Sequence, residues 1–203
     1  MLYLLLLISC TSEKKNPEQP TEAPISLIDY VNPFIATGGV GYSVGSAYPG
    51  AGRPFGMVKV SPDTSNEYSS SDGYYRGGGY HYDDVHIEGF SHMHLHGIGL
   101  TDYGILAVMP SDGMSTDKTT RTGYQARFSH DEESASPGQY KVNLEMASVH
   151  LTATDHTALH VYDFTAQQPT LIFDLGHSLG RGVVTKAKVD IIDNGAGLEG
   201  EIW

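Results

Sequence analysis

The stretch Tyr140-Lys-Val-Asn-Leu-Glu-Met-Ala-Ser-Val-His-Leu-Thr-Ala-Thr154 decides the fold. Tyr140, Val142, Leu144 and Met146 alternate with Lys141, Asn143 and Glu145. Val149, Leu151 and Ala153 then alternate with His150, Thr152 and Thr154. A period of two puts one set of side chains on each face of a strand. Further along, Leu159 and Val161 alternate with His160 and Tyr162. Across 183–192, Lys186 and Lys188 fall on one face and Ala187 and Val189 on the other. Leu171-Ile-Phe173 reads as a more deeply buried strand. The links 155–157 and 166–169 are hairpin-sized. There is no internal repeat and no long helical period. Short strands at this spacing predict an all-β fold, an antiparallel β-sandwich.

Upstream, residues 31–62 are dense in Gly and Pro, including Gly38-Gly39, Pro49-Gly50 and Pro54. Pro removes backbone donors and Gly permits positive φ, so this region predicts long ordered loops, with strand only near 56–60. A second loop, 65–79, carries Tyr68, Tyr74 and Tyr75 among glycines and serines. Such tyrosines either form sugar-stacking platforms or cover the edge of the sandwich.

Residues 2–8 are apolar and end at Ser9-Cys10. The run is too short to span a bilayer, which needs about 20 residues. It suits the apolar part of a secretory signal. The box Leu7-Ile8-Ser9-Cys10 resembles that of bacterial lipoproteins, which implies lipidation at Cys10. No Lys or Arg precedes the run. Residues 11–24 carry three prolines and five charges, so they read as a flexible tether. The expected organisation is a signal over 1–10, a tether over 11–24 and a sandwich over 25–203.

Twelve Lys and Arg stand against 24 Asp and Glu, a formal charge of −12. That argues against nucleic acid as a partner, because phosphate binding needs a basic surface. One Cys excludes a disulfide scaffold.

Gly89-Phe-Ser-His-Met-His-Leu-His-Gly97 is the strongest chemical feature. On a continuous strand, His92, His94 and His96 would share a face. Three imidazoles on one face could hold a metal. The carboxylate that a cupin places after its His pair is missing from 97–101, so a metal site ranks last. The rival readings are imidazoles bonded to backbone within a turn, and imidazoles pointing into a groove as polar ligand contacts. Gly97 and Gly99 allow close backbone approach there. No nucleophile elbow, phosphate loop or Cys pair is present. Carboxylates are plentiful, but composition cannot select a catalytic pair.

Taken in order, several motifs carry a resemblance: Tyr30-Val-Asn-Pro-Phe-Ile-Ala-Thr-Gly-Gly39, Tyr48-Pro-Gly-Ala51, Arg53-Pro-Phe-Gly-Met-Val58, Ser61-Pro-Asp-Thr64, Gly79-Tyr-His-Tyr-Asp-Asp84, Ile87-Glu-Gly-Phe-Ser-His-Met-His-Leu-His96, Asp102-Tyr-Gly104 and Ala135-Ser-Pro-Gly-Gln-Tyr140. The series resembles the N-terminal domain of family 92 glycoside hydrolases, the calcium-dependent exo-α-mannosidases, over about residues 29 to 203. The resemblance implies a supersandwich-like N-terminal domain packed on a C-terminal (α/α) toroid, with the active site between them. It implies inverting removal of terminal, often α-1,2-linked, mannose by a general acid and a general base. It also implies Ca²⁺, with oxygen ligands expected in the toroid. The catalytic carboxylates would lie in the toroid too. This chain would then bind no metal itself, contain no catalytic residue and be inactive alone, as an N-terminal fragment.

The partners implied are a mannose-containing glycan, the toroid, and the membrane through a lipid anchor. The place implied is the bacterial cell envelope, as an outer-membrane or periplasmic lipoprotein. Loops 37–41, 68–76 and 91–103 would form one wall of the mannoside pocket. Its candidate substrate-binding residues are His92, His94, Asp102, Tyr74, Tyr75, Gly38 and Gly39. Departures from the family pattern include Ala36, Met93, His96 and Ile105, and a Trp missing from the loop before Gly79. The rival function is a stand-alone surface glycan-binding lipoprotein without hydrolase activity.

Overall fold

The computed structural model describes residues 26–39, 46–65, 76–97, 103–180 and 183–203. After a 3-10 turn at Leu27–Tyr30 come β1 (Ala51–Gly52), β2 (Lys59–Asp63), β3 (His86–Ile87), β4 (Gly89–His92) and β5 (Ile105–Asp112). Then follow β6 (Ala126–Arg127), β7 (Glu133–Ser136), β8 (Gln139–Asn143), β9 (Ala147–Ala153) and β10 (Ala158–Phe164). The last are β11 (Pro169–Asp174), β12 (Ala187–Ile192) and β13 (Gly197–Ile202). One main sheet runs β1-β2-β4-β5-β11 and the other β10-β9-β8-β7. The pairs β3-β6 and β12-β13 stand apart, and every pairing is antiparallel. The antiparallel sandwich expected from the alternation is therefore observed.

Its core is the contact of the two inner faces. Val60, Phe90 and Met109 from one sheet meet Tyr140, Val142, Val149 and Leu151 from the other. All seven are buried almost completely, and excluding that apolar surface from water is the main force joining the sheets.

Three local expectations are corrected. The alternating run through Met146 breaks into a hairpin: Leu144 N–H donates to Ala147 O, and β9 starts at Ala147. The link 166–169 is no hairpin, because β10 and β11 lie in different sheets. Leu171-Ile-Phe173 is buried on one face only. Ile172 packs on the core, while Leu171 and Phe173 point outward.

Candidate functional site

At the end of β2, Asp63 is a wholly buried carboxylate with three side-chain donors. His94 Nε2 lies 2.7 Å from Oδ1 and His177 Nε2 lies 2.7 Å from Oδ2. Ser91 Oγ also donates to Oδ2. Burial works to raise the carboxyl pKa, but the charge of His94 and the hydrogen bonds from both imidazoles outweigh it and hold it at about 2. His94 Nδ1 lies 3.0 Å from the Lys59 carbonyl, so each of its ring nitrogens faces an acceptor. His177 donates through Nε2, and its buried Nδ1 meets no partner among the described residues. Ser91, His94 and Asp63 are not a hydrolytic triad. Ser91 and Asp63 both face the same imidazole nitrogen, and Ser91 is closed to solvent.

A second network abuts this one. Arg76 grips Asp84 with two parallel bonds, Nε to Oδ2 at 2.7 Å and Nη2 to Oδ1 at 2.6 Å. Thr64 Oγ1 adds a third at 2.6 Å and accepts from the backbone N–H of His81. A bidentate charged pair fixes orientation as well as distance. His81 Nε2 lies 2.9 Å from Gly39 O, and Tyr82 N–H donates to Thr37 O. At Gly38 a Cβ would stand 2.8 Å from the Tyr82 Cβ, so the backbone needs glycine there.

The three clustered histidines do not share a face. β4 ends at His92, and Met93 takes a left-handed φ of 66° that breaks the alternation. His92 turns between the sheets. Its Nδ1 lies 3.0 Å from Leu106 O, and its Nε2 lies 3.1 Å from His160 Nε2. His160 Nδ1 in turn meets Tyr162 Oη at 2.8 Å. One set of protons satisfies the chain: Tyr162 donates to His160, His160 to His92, and His92 to Leu106. Both imidazoles are neutral in that set. Burial lowers the pKa of each, that of His160 to about 4. His94 faces Asp63 instead and is 1% exposed.

His96 stacks on Tyr48 with ring centroids 4.0 Å apart. The two border a cleft of about 540 Å³, lined also by Arg53, Lys59, Pro54 and Pro137. Lys59 belongs to both places, since its carbonyl holds His94 and its residue lines the cleft.

Of the candidate residues, Gly38, Gly39, His92 and His94 lie at this end of the sandwich. Cys10, Tyr74, Tyr75 and Asp102 lie outside the described residues. Asp63, Ser91 and His177 were not singled out from the sequence. Asp63 sits in the quoted Ser-Pro-Asp-Thr motif, whereas His177 lies 114 positions away with no local signal.

The described residues that flank 40–45, 66–75, 98–102 and 181–182 are bonded to one another here. Gly39 bonds His81, and Gly97 N–H donates to Ser46 O. Ser65 N–H and Thr64 N–H both reach Gly79 O. Leu179 N–H donates to Tyr103 O, and Leu179 would meet a Cβ on either Gly79 or Gly104. The described residues do not fit a calcium site. No group of three His, Cys, Asp or Glu among them is arranged to hold a metal ion. Both Asp63 oxygens face N–H or O–H donors, where a hard cation needs free oxygen lone pairs.

A profile of the glycosyl hydrolase family 92 N-terminal domain matches residues 30–202. Among curated proteins, an uncharacterized secreted glycosidase of Arthroderma benhamiae is 27% identical over 162 residues, covering 73% of this chain and 20% of that protein. Among solved structures, the family GH92 α-mannosidase BT3965 of Bacteroides thetaiotaomicron superposes with a TM-score of 0.70 at 30% identity. The alignment covers 82% of this chain and 22% of that one. The same enzyme has been solved in complex with mannoimidazole. The inverting mannosidase BT2199 of the same organism gives a TM-score of 0.59 at 26% identity, over 76% of this chain and 20% of that one. The chain thus spans about a fifth of the length of these relatives.

Proposed function

The chain belongs to the glycosyl hydrolase family 92 N-terminal domains, and from that premise we propose that it forms one wall of the sugar pocket of a secreted exo-α-mannosidase. The complete enzyme trims terminal α-1,2-linked mannose with inversion. In such a reaction a general acid protonates the departing glycosidic oxygen while a general base activates water on the opposite face of the ring. Both groups, and a Ca²⁺ site with oxygen ligands, belong to the part of the polypeptide beyond this chain. Cys10 carries a lipid that holds the enzyme at the bacterial envelope, with 11–24 as the tether.

The observation that supports this reading is the convergence of the described ends flanking 40–45, 66–75 and 98–102 on the Asp63 end of the sandwich. Those segments carry much of the three loops that the resemblance assigns to the pocket wall. Exposed apolar residues at Val161, Phe173 and Ile191 favour a domain that packs against more protein over a finished glycan-binding module.

The test is release of mannose from an α-1,2-linked mannobioside. The complete polypeptide is expected to release it first as the β-anomer, to lose activity in EDTA and to regain it with Ca²⁺. The 203-residue chain alone is expected to release none. Hydrolysis by the chain alone, or none by the complete polypeptide, overturns the reading. Lipid labelling that survives Cys10→Ala would remove the anchor.

A further inference from the structure

We propose that Asp63 is the positioning residue of this pocket: one buried carboxylate fixes the described backbone that flanks its loops without touching the sugar. This role rests on the pocket-wall reading above. Asp63 joins parts of the chain that are far apart in sequence. Its side chain holds Ser91 at the end of β4, His94 beyond that strand and His177 beyond β11. Its carbonyl accepts from Glu88 N–H, which fixes the entry to β4.

The hub is linked to described residues beside 40–45, 66–75, 98–102 and 181–182 within three steps. Gly79 packs so closely that a Cβ there would stand 2.3 Å from Asp63 Oδ1. Gly79 O in turn accepts from Thr64 and Ser65, just before 66–75. On the far side of that segment, Gly79 N–H donates to Arg76 O. His94 leads to Gly97 and its bond to Ser46, which border 98–102 and 40–45. His177 leads to Leu179 and its bond to Tyr103, next to 181–182 and 98–102.

A neutral amide replaces this carboxylate only at the loss of its charge. Asparagine offers one acceptor oxygen and one N–H₂, so His94 must move its proton to Nδ1, toward Lys59 O, and accept from the amide at Nε2. The bonds to a charged carboxylate become bonds to a neutral group. The low dielectric of a closed site makes that loss of charge costly and the intact network stiff. Asp63 and its partners are buried almost completely, so the carboxylate does not reach a ligand itself. Its influence on binding passes through the backbone that it holds in place.

Asp63→Asn in the complete enzyme tests this. KM for the mannoside is expected to rise about tenfold or more while kcat moves less than about threefold, as for lost ground-state positioning. In the 203-residue chain, wild type is expected to show downfield, slowly exchanging imidazole N–H resonances from His94 and His177, and Asp63→Asn to lose the one that faces the amide N–H₂ and to move the other upfield. His177→Phe keeps a ring but removes one donor, and serves if Asp63→Asn does not fold. It is expected to raise KM about three- to tenfold with kcat held. Unchanged KM in both variants overturns the positioning role, as does a fall in kcat at constant KM. Absence of the two resonances from wild type overturns the hub itself. A complete enzyme that hydrolyses no mannoside sinks the pocket reading instead, and the resonances still decide the hub.

Discussion

His92 on β4 and His160 on β10 meet nitrogen to nitrogen at 3.1 Å, so one hydrogen bond joins the two main sheets. The bond needs a bare nitrogen on one ring and a proton on the other. A second proton would put two donors, and two charges, face to face. Burial, then the charge of His92, lowers the His160 pKa from its ordinary 6.5 to about 4.

The pH dependence follows from that depression. Between pH 6.5 and 4 the unfolded chain binds a proton at His160 that the folded chain refuses, so stability rises with pH across that window. The contribution is complete above pH 6.5 and lost as the solution is acidified, by roughly 3 kcal/mol in all. Urea midpoints measured from pH 7 to 4 should fall for wild type. His160→Gln cannot titrate there and should be less stable at pH 7, with a shallower fall. Parallel slopes for the two proteins would place the acid sensitivity elsewhere.

Glu133 forms a second interior anchor. Its side chain is 1% exposed and accepts from Tyr80 Oη at 2.7 Å and Tyr140 Oη at 2.6 Å, with His130 Nδ1 on the same carboxylate. Burial, then the Glu133 charge, drives both phenols above their ordinary pKa, so both remain donors. Tyr140→Phe removes one donor and leaves two, for a loss of about 1–2 kcal/mol. Glu133→Leu strips the partner from both phenols and should destabilise by about 3 kcal/mol or more. Equal effects in chemical denaturation would contradict this network.

The two-residue rhythm of 140–154 made the sandwich legible, because strand side chains alternate strictly between faces. It could not say which face of β10 turns inward. Leu159 and Val161 are the more apolar set, yet they face solvent while His160 and Tyr162 point into the sandwich. The polar pair is accommodated because each finds a partner, His160 on His92 and Tyr162 on His160. At the site, the histidine cluster was legible as chemistry but not as geometry. A single left-handed residue, Met93, sends His92 and His94 into different networks. The pairing of Asp63 with His177 bridges 114 positions, and no local spacing announces it.

Gly79 and Gly97 separate backbone strain from crowding. Both lie in the left-handed region, at φ of 84° and 66°. At Gly97 a Cβ meets no described atom within 4 Å, so Gly97→Ala should lose about 1–2 kcal/mol from conformation alone. At Gly79 the Cβ would also press on Asp63 Oδ1 at 2.3 Å and Leu179 Cδ1 at 2.9 Å. Gly79→Ala should therefore lose the same amount plus an overpacking penalty of about 1–3 kcal/mol. Similar melting temperatures for the two variants would mean that the Asp63 surroundings yield more easily than their burial implies.

The outer faces of β10 and β11 should govern how the isolated chain behaves in solution. Leu159 and Val161 point away from the core on β10, as do Leu171 and Phe173 on β11. Among the described residues each strand is the edge of its main sheet, so apolar side chains lie beside a backbone edge with no strand partner among them. That combination recruits other chains. Val161→Thr with Phe173→Thr places a strand-compatible β-branched residue at both positions, adds hydroxyls that reach solvent, and leaves the core between the sheets intact. The double variant should lose only about 1–2 kcal/mol of stability, because Phe173 is 43% exposed and Val161 44% exposed. It should also scatter markedly less light at matched concentration. Unchanged scattering would shift the source of association to another exposed surface. The loop bearing Phe55, 102% exposed, and Met57, 62% exposed, would be the next to substitute.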